Sequence, residues 1–125
     1  MGRKSREGLI DGQAAEERIR QAAETHADAL NLSNLGLAEL PESLGHFAAL
    51  RTLNLSGNRL SALPAWLGQL TALQYLELNF NQLSALPESL GQLTALESLF
   101  LFGNKLTALP KFRPPDLTDP SLGVR

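Results

Sequence analysis

Asn58, Asn81 and Asn104 stand 23 residues apart, and so do Pro41, Pro64, Pro87 and Pro110. Around each Asn the same leucines recur at the same offsets. The clearest copy is 73–95, LQYLELNFNQLSALPESLGQLTA. A fixed period of this size cannot be met by one globular core, because every copy asks for the same surroundings. It is met by identical units stacked side by side, each burying its apolar face on the next.

The copies align without gaps as 27–49, 50–72 and 73–95, and a fourth begins at Leu96 and loses register after Pro110. About three units are needed for such a stack to hold. Within 73–95, Leu73, Leu76 and Leu78 form L-x-x-L-x-L. Leu76 and Leu78 alternate as a strand does and point to one face. Consecutive copies then place their strands side by side in a parallel sheet. Leu83, Leu86, Leu90 and Leu93 close the core behind it. Pro87 stops backbone pairing, and Gly91 reads as a residue that permits a tight bend. Asn81 falls where the strand turns away and backbone groups lose their sheet partners. A buried amide has two donors and an acceptor with which to satisfy them, so Asn58, Asn81 and Asn104 are expected to form a hydrogen-bonded ladder.

The flanks differ. Residues 1–10 are charged and read as a flexible tail. From Asp11 to His26 the text is rich in Ala, Glu, Gln and Arg, which are good helix formers. Asp11 fits an N-cap. Ala15, Ile19, Ala22, Ala23 and His26 make a narrow apolar stripe, and Glu16 and Arg20 pair at i,i+4. Such a helix is marginal alone and is expected to lid the open end of the stack. Residues 111–125 are Pro-rich and read as a tail or a crude cap, with Phe112, Leu117 and Leu122 available to fold over the last repeat.

The run L-x-x-L-x-L-x-x-N-x-L over 27–110 resembles the leucine-rich repeat. The L-P-x-x-L-G-x-L second half resembles the 23-residue cytoplasmic type of Ras-group-like and bacterial proteins. The resemblance implies an α/β solenoid: a short, right-handed curved stack with its parallel sheet on the concave face, behind an N-terminal capping helix. It also implies protein–protein binding across the concave face, and because the residues form no catalytic constellation, neither enzymatic activity nor a cofactor is expected. Cys-rich end caps, common in extracellular members, are missing, which favours a cytoplasmic location. The alternative is a recruiting or regulatory repeat portion of a larger signalling enzyme such as a kinase, a Roco GTPase or a ubiquitin ligase. The first repeat departs from the pattern, with Leu35 at the Asn position and His46-Phe47 in place of Gln-Leu.

Outward strand positions form rows: Thr52, Tyr75, Ser98; Asn54, Glu77, Phe100; Ser56, Asn79, Phe102. The face grades from small and polar to aromatic. Clustered aromatics beside a polar surface have the make-up of an interface. Tyr75, Phe80, Phe100 and Phe102 are therefore candidate anchors for a partner, with Glu77, Asn54 and Arg59 on the rim. Two competing expectations stand beside this. Phe100 and Phe102 are equally open to cover by the C-terminal tail. Phe80, next to the core Asn, fits better as a spine packed into the turn between repeats. Trp66, on the back, is expected to be partly buried.

Composition narrows the function classes. The net charge of −2 is mixed, and no basic stripe appears, which argues against a nucleic-acid partner. Cysteine is absent, so disulfides, thiol chemistry and Cys-based zinc sites are excluded. No apolar run follows the basic N-terminus or is long enough to span a membrane. Gly2 does not mark acylation, because Ser5 lies one place early for the motif. His26 and His46 have no Ser–Asp pair beside them, there is no phosphate loop, and Glu77 is the lone carboxylate of the outward strand rows. A protein partner is the expectation, and self-association through the C-terminal end is a further option.

Overall fold

A computed structural model describes residues 11–107, with side chains from Gln13 onward. The 1–10 tail, the side chain of Asp11, expected as an N-cap, and the 111–125 segment with Phe112, Leu117 and Leu122 lie outside the described residues. So does cover of Phe100 and Phe102 by the tail.

Each L-x-x-L-x-L run gives one short strand: β1 Ala29–Asn31, β2 Thr52–Asn54, β3 Tyr75–Glu77 and β4 Ser98–Phe100. They form one parallel sheet in the order β1-β2-β3-β4. The register aligns equivalent residues: Leu30, Leu53, Leu76 and Leu99 in one row, and Asn31, Asn54, Glu77 and Phe100 in the next. Parallel neighbours need a crossover, and here it is the second half of the repeat. Its centre is a short 3-10 helix at Glu42–His46, Ala65–Gln69 and Glu88–Gln92. Pro41, Pro64 and Pro87 each precede one in extended conformation, with φ between −63° and −70°. That φ is built into the ring, and the missing N–H would have had no partner inside the turn. Each Pro carbonyl accepts from the Leu three residues on, at 3.1–3.2 Å.

The core is a set of leucine columns. Leu53, Leu55, Leu60, Leu67, Leu70, Leu73, Leu76, Leu78, Leu83, Leu90 and Leu93 are wholly buried. Each contributes about 1.5–3 kcal/mol, most of it offset by chain entropy. Leu86 is only half-buried. Gly91 has no left-handed φ, and Gly45 and Gly68 of the back work through space. A Cβ on Gly68 would meet the Ser89 carbonyl oxygen at 2.3 Å, and one on Gly45 would meet the Trp66 ring at 3.3 Å. The missing side chains are what let the first repeat sit against the second and the second against the third. Trp66 is half-buried there.

The N-terminal helix α1, Asp11–Glu24, closes the β1 end. Ala15, Ile19 and Ala22 are buried, but Ala23 and His26 are exposed, so the stripe is narrower than the sequence implies. The reason is how the helix ends. The Ala27 N–H donates to the Ala22 carbonyl and the His26 N–H to Ala23, with His26 at φ 54°. This is a Schellman stop with His26 in the left-handed position. The Glu16–Arg20 pair does not form. Glu16 accepts from the Ser43 hydroxyl at 2.8 Å, tying α1 to the first repeat. Arg20 pairs with Glu17 and with Glu24, and these carboxylates, Glu17 foremost, hold its guanidinium above its ordinary pKa. The Arg18 guanidinium donates to the Asn31 carbonyl at 3.0 Å and covers the sheet's free edge.

Candidate functional site

The inner wall of the site is the Asn column. The Asn58 amide oxygen accepts from the N–H groups of Leu35 and Leu37, both at 3.0 Å, and its NH2 donates to the carbonyls of Leu32 and Leu55. Asn81 accepts from Leu60 at 3.1 Å and donates to Leu55 and Leu78. Asn104 accepts from Leu83 at 3.0 Å and donates to Leu78 and Leu101. Each amide bonds its own repeat and the one before it. Asn58 and Asn81 are buried and Asn104 is half-buried. Leu35, at the Asn position of the first repeat, is itself buried and supplies one of the donors.

A second polar line runs along the outward side. Asn54 accepts from the Ser56 N–H at 3.0 Å, the Ser56 hydroxyl accepts from the Asn79 N–H at 3.2 Å, and Asn79 accepts from the Phe102 N–H at 2.7 Å. Asn54, a rim candidate, is thus engaged in holding its own strand exit. Asn79 was not singled out from the sequence, yet it fixes the backbone of Phe102.

Among the anchor candidates, Phe102 is 63% exposed, Phe80 59% and Tyr75 40%, while Phe100 is half-buried. Phe80 is therefore not a buried spine between repeats. Its φ of 59° turns the side chain outward, and its ring meets that of Phe102 edge to face, centroids 5.5 Å apart at 88°. Such pairs favour this geometry because the edge of one ring is positive and the face of the other negative. The Tyr75 hydroxyl donates weakly to Glu97 at 3.4 Å. Glu77 is half-buried and Arg59 exposed. The sheet face thus brings together Tyr75, Glu77 and Phe100 in and beside β3, with Phe80 and Phe102 along the strand exits. Among the described residues no three His, Cys, Asp or Glu side chains cluster as a metal site. A separate cavity of about 610 Å³ lies between α1 and the first 3-10 helix, lined in part by Ile19, Arg20, His46 and Phe47.

The pattern described as a leucine-rich repeat region matches residues 25–112, well over half of the chain. The chain belongs to the leucine-rich repeat family. Among solved structures, this repeat protein is similar to a leucine-rich repeat protein of Leptospira interrogans, at 37% identity and a TM-score of 0.65, over 71% of this chain and 23% of that one. It is also similar to the leucine-rich repeat domain of a Shigella effector, at 33% identity and a TM-score of 0.68, over 80% of this chain and 42% of that one. The chain therefore spans less than half the length of either. No curated protein matches it. The four-stranded parallel sheet and N-terminal helix are those of an α/β leucine-rich repeat solenoid. Membership of the family supports a protein-interaction repeat module.

Proposed function

We propose that this repeat protein is a non-enzymatic, cytoplasmic interaction module of the 23-residue type that binds a partner protein on the concave face of its sheet. The observation that carries this reading is the exposure of Tyr75, Phe80 and Phe102 on one side of a rigid sheet whose polar groups are engaged internally. Large apolar side chains held in the open beside polar ones are what a binding face offers and a stable monomer otherwise avoids. Tyr75 and Phe100 anchor the partner from the face, with Glu77 beside them. The missing Cys-rich end caps support the cytoplasmic setting. A second reading, the recruiting repeats of a larger signalling protein, is favoured by the match to a repeat domain of an effector. It places binding on the same face.

The test is capture of proteins from cytosolic extract on the immobilised chain. Partners are expected on the wild type and on the back-surface variant Trp66→Ala, and lost on Tyr75→Ser/Glu77→Lys. Equal capture on all three overturns binding at this face. Self-association through the C-terminal end is the competing arrangement. A monomeric mass by light scattering at every concentration removes it.

A further inference from the structure

At the exit of every strand the chain passes through a left-handed residue at the same position: Asn34 (φ 58°), Gly57 (73°), Phe80 (59°) and Gly103 (78°), with Gly36 (67°) a second in the first repeat. Backbone rungs hold this column together, with the Asn34 N–H on the Ser56 carbonyl, Gly57 on Asn79 and Phe80 on Phe102 at 2.7–3.0 Å. Gly adopts this conformation freely, and Asn tolerates it through local hydrogen bonds. Phe has neither licence, and at 59% exposure its ring is not there to fill the core. The ring is nonetheless held. It lies against Gly103, where a Cβ would come within 2.6 Å of the Phe80 Cδ1, and edge-on to Phe102. The Phe102 backbone is fixed from both sides, its N–H on the Asn79 amide and its carbonyl on the Phe80 N–H. An uncommon, costly backbone state that keeps two rings rigid in solvent is the pattern of a preorganised contact.

The same edge has a charge of one sign. Arg59, Gln82 and Lys105 form the next column, set by rungs to Leu37, Leu60 and Leu83 at 2.8 Å, and all three are exposed. The strand-exit segments 33–37, 56–60, 79–83 and 102–106 contain no Asp or Glu. The edge is thus cationic in a chain of net charge −2. Arg59 and Lys105 lie two strands apart, about 10 Å, with Phe80 in the repeat between them and Phe102 in the repeat of Lys105. An extended peptide turns alternate side chains to one face at about 3.3 Å per residue, so positions i and i+4 span both cations with i+2 between them.

We propose that this strand-exit edge takes an acidic linear peptide segment. One apolar side chain of the segment seats on the Phe80 and Phe102 rings, and carboxylates two residues to either side of it, on the same face of the extended segment, meet Arg59 and Lys105. The proposal rests on the interaction-module reading and names the partner's chemistry. A displayed library of random 12-residue peptides, panned on the full chain, tests it, with the enriched sequences synthesised and titrated by fluorescence anisotropy. The expected winners carry an apolar residue between acidic ones and bind more weakly as salt rises. Phe80→Gly weakens them at least tenfold, and Arg59→Glu/Lys105→Glu loses them and enriches basic peptides instead. Phe80→Gly puts glycine where the backbone is already left-handed, so an unchanged or higher Tm separates lost contact from lost fold. The proposal is overturned by no enrichment, by enrichment of basic peptides on the wild type, by winners indifferent to both variants, or by a Phe80-dependent dimer in light scattering. Winners that ignore the edge variants but are lost on Tyr75→Ser/Glu77→Lys overturn the edge and leave the concave-face reading standing.

Discussion

Phe80 and Asn81 are neighbours in sequence with opposite duties, and each makes a prediction at its own scale. The four bonds of Asn81 serve the Leu60 N–H and the carbonyls of Leu55, Leu78 and Asn79. Leaving a buried polar group without a partner costs about 1–3 kcal/mol. Asn81→Ala is expected to cost about 3 kcal/mol or more in urea unfolding. Asn104→Ala removes three bonds from a half-buried site that water reaches, so it is expected to cost clearly less. Equal losses would show that burial does not set the penalty. The Ser89 hydroxyl is the reverse case: it is buried without a partner. Ser89→Ala removes an unsatisfied group and is expected to raise stability by about 1 kcal/mol. Gly103 carries two demands at once, a φ of 78° and room for the Phe80 ring. Gly103→Ala is expected to cost about 1–3 kcal/mol. In a Phe80→Gly background only the backbone part, about 1 kcal/mol, should remain. A double-mutant cycle reads the difference as coupling, and additive losses would mean that the ring does not rest on Gly103.

Elements divide into those the sequence dictates and those a neighbour decides. The strands and their register were legible, because a 23-residue period and an alternation of period two leave one alignment in which every Leu faces inward. The helix α1 was legible as a helix, but its contacts were not. Ala is nearly indifferent to burial, so the stripe could not say where it stopped. The position of Ser43 took Glu16 away from Arg20. In the backs, the reason for Gly45 and Gly68 is the approach of Trp66 and Ser89 from the next repeat, which no local pattern displays. The exposure of Phe80 was the less favoured of two expectations because its neighbour is a buried Asn. The usable signal was vertical: Asn34, Gly57 and Gly103 fill the equivalent position, and such a column marks a left-handed turn whose side chain points away from the core. The same logic applies to the end of α1. His26→Gly relieves the left-handed position of the Schellman stop and is expected to raise stability by about 1 kcal/mol, read as a higher Tm.

At the scale of the molecule, each repeat touches only its neighbours, so stability is a chain of interfaces and not one core. This makes the influence of α1 directional. Ile19 is buried where the helix meets the first repeat, and Ile19→Ala is expected to cost about 2–5 kcal/mol at that interface alone. The loss then reaches the sheet through β1, whose outer edge is covered by Arg18 on Asn31. Native-state hydrogen exchange of the variant should show lost protection first at the Leu32 and Thr52 amides, which bond Asn54 and Asp28 across the β1–β2 ladder. The Leu78 amide, on Phe100 between β3 and β4, should be the less affected. The Phe80–Phe102 rung lies at that far side, so binding at the aromatic edge should survive a substitution that frays the opposite end. Loss of protection to the same extent at Leu32 and Leu78 would mean that the four repeats open as a single unit. Function would then depend on α1 despite the distance. Graded loss with binding retained would locate the working surface in the last two repeats and leave the helix a purely structural closure.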